Sequence, residues 1–298
     1  MVFTKVIIAG STGYIADPAI QAILASTDPV FDVTILTRAE SRKSTNAPGA
    51  KLVPIDYYDH QALVRAVSGA DAILSFISGA QAKAVDRLLL KAAQEAGVRP
   101  FTEGGNWPEE TSPVVTARKF MDLANEGGPT SFTTIIPAAF MDGWLAGEFG
   151  SIDLKNRKVT AVDSGDHYFS GCTLPYLAAA IVAVLKMDEE KTKNKRIPIT
   201  ELRVTMNQIA DTFEEVTGDK FERGLVISKE LFDQRDTNLK AGNAFVALFT
   251  MVHMLAFNGS GAADMKDGLK FDGDGFLNLR KKTLKELCVV AVEKVGTA

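Results

Sequence analysis

The chain has 298 residues, with 33 basic against 37 acidic side chains and a net charge of −4. A hydrophobic fraction of 46% beside 23% charged residues excludes a disordered or low-complexity chain. The acidic balance, with no basic run longer than three residues, also argues against a nucleic-acid binder.

Membrane and secretory readings fare no better. The most apolar stretch, Ala241–Phe257, is too short for a bilayer span and carries Asn243 and His253, so it reads as a buried helix. The first ten residues lead into a strand without a signal-peptide layout. The two cysteines, Cys172 and Cys288, stand far apart and read as small core residues in a reducing compartment. The expectation is a cytoplasmic protein with no membrane and no nucleic-acid partner.

In chain order, short runs rich in Val, Ile and Phe predict buried strands at Lys5–Ala9, Asp32–Thr37, Lys51–Ile55, Ala70–Ile77, Arg99–Glu103 and Ser131–Pro137. Helical patterns lie between them at Ala16–Ser26, His60–Val67, Ala80–Ala96 and Val114–Asn125. Asp59 stands at an N-cap position, and Gly97 and Gly127 at C-cap positions. Strands alternating with helices of this size demand right-handed crossovers and a parallel sheet covered on both faces. After Pro137 the rhythm changes. Helices are expected at Ala139–Phe149, Leu174–Met187, Met206–Thr217 (ending at Gly218), Ala241–Phe257 and Leu279–Val295, with strands at Val159–Val162 and Ile197–Val204. Asp272–Gly275 lacks the later glutamate of a calcium loop and reads as a surface turn. The whole predicts an α/β fold, a Rossmann-type doubly wound parallel sheet over residues 1–150. A smaller, mostly helical substrate-binding part at 151–298 follows, with some interleaving between the two.

Directly after the first strand comes Gly10-Ser11-Thr12-Gly13-Tyr14-Ile15-Ala16. Glycines belong here because a Cβ would bar a pyrophosphate from the backbone N–H groups, while the following helix points its positive end at the same anion. Ala16 is small enough for helix–strand packing. Pro18 has no N–H to donate and fits only within the first helical turn. The second strand ends at Thr37-Arg38, where an NAD-specific site would place an acid. A guanidinium there suits a 2′-phosphate, so Arg38 is the expected NADP ligand, with Lys43 as a weaker second.

These residues carry a family likeness. GSTGYIA, VTILTR and KLVPIDYYDHQALVRAVSGADAILSFIS, together with the later PITELRVTMNQIADTFEEVTG, resemble the NmrA-like, isoflavone-reductase-like group of atypical short-chain dehydrogenases. The resemblance implies a Rossmann domain, a substrate-binding part and NADP(H). It places cofactor contacts on Gly10, Ser11, Thr12, Gly13, Tyr14, Ile15 and Arg38, adenine-side contacts near Asp56 and Tyr57, and ribose contacts near Ser75, Phe76 and Ile77. Two family features differ here. No tyrosine has a lysine four residues on, and the helix in which the isoflavone-reductase branch carries a lysine reads SPVVTARKFMDLA, with only Lys119.

Ligands of open parallel sheets sit at the carboxyl ends of the strands, which nominates Glu103, Trp107, Phe140 and Trp144. Glu103 is the expected acid/base, with a carboxylate tied to loop amides as the plain alternative. Lys119 reads as a solvent-facing helix residue or, alternatively, a catalytic one. His167, Tyr168 and Phe169 lie in a turn-rich stretch suited either to a substrate clamp or to simple anchoring. His253, on an apolar helix, reads as a satisfied core histidine. Three functions compete. The first is an NADP(H)-dependent oxidoreductase of specialised metabolism acting on a hydrophobic small molecule, aromatic ones included. The second is an NADP-binding acid/base cyclase or condensation enzyme without net redox, and the third a non-catalytic NADP-sensing regulator. A homo-oligomer is compatible with each.

Overall fold

The computed structural model describes residues 3–38, 47–77, 82–98, 100–103, 130–261, 263–265 and 272–296. The chain divides into two compact units, Met1–Ile136 with Leu177–Ile197, and Pro137–Tyr176 with Pro198–Ala298. The boundary expected at residue 150 therefore lies inside the second unit, and residues 177–197 return to the first.

In the first unit β1 (Lys5–Ala9), β2 (Asp32–Arg38), β3 (Lys51–Ile55), β4 (Ala72–Ser75), β5 (Pro100–Glu103) and β6 (Ser131–Pro137) pair in parallel. With β11 (Lys195–Ile199) they form a seven-stranded sheet in the order β11-β6-β5-β4-β1-β2-β3. The chain winds outward from β1 in both directions, so the carboxyl ends of β1 and β4 flank the point where strand order reverses. One register row crosses that edge: Leu36, Ala9, Ser75, Glu103 and Thr134 are successive partners. Val6, Ile8, Ile35, Ile73 and Leu74 are fully buried, as strands covered on both faces require.

The helices bounding the crossovers follow their capping chemistry. Asp59 accepts from the Ala62 N–H at the start of His60–Val67. Gly97 takes the left-handed conformation after Ala82–Glu95. The first helix is Ala16–Leu24, so Pro18 falls in its first turn and needs no bend. The helix expected at Val114–Asn125, with Gly127, lies outside the described residues.

The second unit holds two small sheets as well as helices. β12 (Leu202–Val204), β10 (Phe169–Cys172) and β7 (Ala139–Phe140) form one, and β13 (Glu222–Val226), β9 (Lys158–Val162) and β8 (Ile152–Asp153) the other. The single strand expected over Ile197–Val204 is two strands of different sheets. The chain breaks at Thr200 and Glu201, where Thr200 N–H donates to Asp274 and the buried Glu201 carboxylate accepts from the Thr173 N–H and hydroxyl. Asp274 also accepts from the Tyr176 hydroxyl and pairs with Lys281. Asp272–Gly275 is thus an anchored turn in which Asp272 caps the helix Gly273–Leu277. The core of this unit gathers Trp144, Phe169, Phe213, Met254, Phe257 and Cys288. Both cysteines are buried and free, as expected.

Candidate functional site

The glycine turn occupies the carboxyl end of β1. Gly10 has φ of +83°, and a Cβ built on it would stand 2.9 Å from the Phe76 carbonyl carbon and 3.0 Å from the Ile77 nitrogen. Only glycine meets both demands. Gly13 differs. Its φ is ordinary, and the nearest atom to a built Cβ, the Phe76 oxygen, is 3.9 Å away. The fold itself would accept a side chain there, so what Gly13 keeps clear is the approach to the turn from outside. The Gly13 carbonyl accepts from Ala16 N–H at 3.1 Å and starts the helix, whose N-cap residue Ile15 offers no side-chain cap. Glycine turn and helix end therefore have the form that holds a pyrophosphate. Thr12 and Tyr14 are exposed, while Ser11 and Ile15 are half-buried.

Beneath the turn lies a buried polar strut. The Tyr57 hydroxyl donates to the Leu36 carbonyl at 3.0 Å and receives the Gly10 N–H, so it ties β2 to the turn. Burial pushes its proton affinity far up, keeping the phenol neutral. Of the two residues expected near the adenine, Tyr57 is buried with its hydroxyl turned inward, while Asp56 is exposed and accepts from Tyr58 N–H in a local turn. The Ser75 side chain is likewise buried, and its hydroxyl donates to the buried Asp86 carboxylate on the helix Ala82–Glu95. The main chain of Ser75, Phe76 and Ile77, not the Ser75 hydroxyl, forms the border of the turn, and Phe76 N–H donates to Ala9 at 2.8 Å. Arg38 is exposed at the carboxyl end of β2, close enough to Tyr57 for its charge to act on the phenol. Gly10, Gly13, Arg38, Tyr57, Ser75, Phe76 and Ile77 thus converge on one sheet edge; Lys43 lies outside the described residues.

Asp86 is the residue that the sequence reading missed. The signal was present: Asp86 shares a helical face with the buried Leu89, Leu90 and Ala93, so a carboxylate stands in the apolar stripe.

For the chemical step, the register places Glu103 beside Ser75 and Thr134 at the end of β5. Lys119 and Trp107 lie outside the described residues. The other substrate candidates all belong to the second unit. Phe140 is half-buried and pairs with Cys172. Trp144 and Phe169 serve the core: both rings meet Phe257 edge-on, at 4.9 and 4.6 Å, and Phe169 is completely buried. The Tyr168 ring lies 3.9 Å from the Arg203 guanidinium, which also grips Asp264 through two bonds. His167 packs its imidazole on Gly259, whose φ of +75° and lack of a side chain make that contact possible. His253 meets the Trp144 ring edge and shares a 3.1 Å hydrogen bond with Ser151; burial lowers its pKa to about 4, so it is neutral. Among the described residues no group of His, Cys, Asp and Glu could hold a metal, and no helix is long and apolar enough to cross a membrane.

Comparison with known proteins fits this geometry. The NmrA-like family model matches residues 3–114. "Bifunctional pinoresinol-lariciresinol reductase 3" of Thuja plicata is 26% identical over 261 residues, 78% of this chain and 82% of the relative. "Isoflavone reductase homolog IRL" of Zea mays is 26% identical over 249 residues, 78% and 80% respectively. The solved structure described as AtPrR2 with NADP+ and (+)pinoresinol has the same fold, with a TM-score of 0.78 at 20% identity, over 97% of this chain and 99% of that one. The resemblance read from the sequence therefore holds: the chain is similar to the NmrA-like family over residues 3–114, and to the maize isoflavone reductase homolog over 78% of its length.

Proposed function

We propose that the protein is an NADP(H)-dependent oxidoreductase acting on a hydrophobic, aromatic small molecule. The observation that carries this is the glycine turn after β1 with a guanidinium, and no acid, at the end of β2. The relatives' names supply the substrate class. They are pinoresinol-lariciresinol reductases and an isoflavone reductase homolog, and one neighbour was solved with NADP+ and pinoresinol. Those names favour net reduction over a redox-neutral cyclase or a non-catalytic regulator.

When bound, the reduced dinucleotide supplies a hydride. In this chain the Gly10–Ile15 main chain and the following helix end would hold the pyrophosphate. Arg38 would pair with the 2′-phosphate through charge-assisted hydrogen bonds. Tyr57 keeps the turn in shape by holding the Gly10 N–H. Glu103, in register beside Ser75 at the same edge, is our candidate for the proton transfer that accompanies hydride addition. Incubation with NADPH and a panel of lignans and isoflavonoids tests the reading. Loss of nicotinamide absorbance matched one-to-one by a reduced product is expected. Tight NADPH binding with no reduction of any aromatic acceptor would contradict it.

A further inference from the structure

Asp86 has no part in the function just described, yet its placement is unusual. Its carboxylate is buried on the apolar face of the helix Ala82–Glu95, and its hydrogen-bond donor is the Ser75 hydroxyl. Ser75 pairs in register with Ala9, the residue before Gly10. Tyr57, which holds the Gly10 N–H, feels the Asp86 charge. The acid therefore lies behind the same sheet edge as the glycine turn, one residue layer away through Ser75. The groups around it offer no countercharge among the described residues. From its own helix Arg87 and Lys91 are exposed, and the Lys83 side chain lies outside those described. From the helix His60–Val67 packed beside it, Arg65 is exposed and His60 pairs with Glu95. From the segment after β3 comes the neutral phenol of Tyr57, and Arg38 of β2 acts on that phenol, not on Asp86. β1 contributes no titratable group at this end, and β5 brings Glu103 into register beside Ser75. Burial raises the Asp86 pKa to about 7, against the lowering effect of the Ser75 hydroxyl.

A dinucleotide delivers a pyrophosphate to the turn above. Two negative charges at one sheet edge disfavour each other, the more so where one is buried, and a carboxylic acid with one hydroxyl neighbour relieves this by holding a proton. We propose that Asp86 takes up a proton when the cofactor seats on the glycine turn, so that cofactor binding and the protonation of Asp86 are one linked event. The inference rests on the dinucleotide reading of the turn. Its sign is fixed. The bound state favours the protonated acid, so affinity is full below the free-state midpoint and falls as pH rises above it. The fall is up to about tenfold per pH unit until the bound-state midpoint is reached.

The test is calorimetric titration with NADP+ at about pH 8, in buffers of different ionisation enthalpy. At that pH the 2′-phosphate, like other phosphate monoesters of pKa about 6, is already ionised and takes no proton. The wild-type chain should take up between about half a proton and one per nucleotide bound. Asp86→Asn should bind with no uptake and with a flat pH profile, whereas Glu103→Gln should keep the uptake. Ser75→Ala removes a donor to the charged form, so it should move the midpoint of the pH profile upward; it stands in if the Asn variant fails to fold. Binding without uptake in the wild type would overturn the proposal. So would uptake that survives Asp86→Asn, or that vanishes in Glu103→Gln, or an unmoved midpoint in Ser75→Ala. Absence of any NADP+ binding would defeat the dinucleotide reading itself and this inference with it.

Discussion

At the scale of single residues, the two glycines of the turn do different jobs, and mutation separates them. Gly10 is needed by the fold, through its positive φ and its approach to the Phe76 and Ile77 backbone. We expect Gly10→Ala to cost about 1–3 kcal/mol in denaturant unfolding. At Gly13 a Cβ would meet only the Phe76 oxygen, at an ordinary contact distance of 3.9 Å, so Gly13→Val should leave stability nearly unchanged and abolish dinucleotide binding. Equal binding by parent and Gly13→Val would mean that the pyrophosphate is held elsewhere. Glu103→Gln keeps shape but cannot exchange a proton; it should retain NADP binding and lose about a hundredfold or more in turnover, with Lys119→Ala close to silent. The reverse pattern would assign the proton to Lys119. The glycine turn was legible in the sequence because backbone approach demands glycine at a fixed offset from a strand, and Arg38 is nominated on the same ground, by its place at the end of β2. The supporting layer was not. The family resemblance implies cofactor contacts near Tyr57 and Ser75, yet each turns its hydroxyl inward, to Leu36 and to Asp86.

At the scale of elements, the strands of the large sheet were legible because both faces are buried and each reads as a continuous apolar run. Strand β13 was not. Its residues Glu222–Val226 are exposed or half-buried throughout, so no alternation marks them, and the strand exists through its pairing with β9 and a Lys158–Glu222 ion pair. The helix Ser228–Lys240 escaped for a similar reason: only Leu231 among its residues is buried. By contrast Met206–Thr217 is bounded at both ends by local chemistry, with a capping box of Thr205 and Gln208 and the left-handed Gly218. Thr205→Ala should therefore destabilise the chain by about 1 kcal/mol. A change below a few tenths in urea unfolding would show that tertiary packing alone holds this helix.

At the scale of the whole molecule, the chain leaves the first unit after Ile136, returns for Leu177–Ile197, and completes the second unit afterwards. Hydrophobic pattern does not record such an excursion, because a strand reads alike in either unit. The second unit also carries a pH signature. His253 is held neutral by burial, with a pKa of about 4. A histidine depressed in the folded state contributes stability that is full above its unfolded value near 6.5 and is lost as pH falls toward 4. We expect stability to decline over that window and His253→Gln to flatten that part of the decline; identical acid limbs in both chains would remove His253 from the explanation.

The central claim is that the turn after β1 and Arg38 together select NADP(H). Titration of the protein with NADPH and with NADH, repeated on Arg38→Ala, measures it most directly. The account predicts tighter binding of NADPH by about 1.5–3 kcal/mol, most of it lost in the variant with NADH affinity unchanged. Equal affinities for the two nucleotides in the unmutated chain would contradict it.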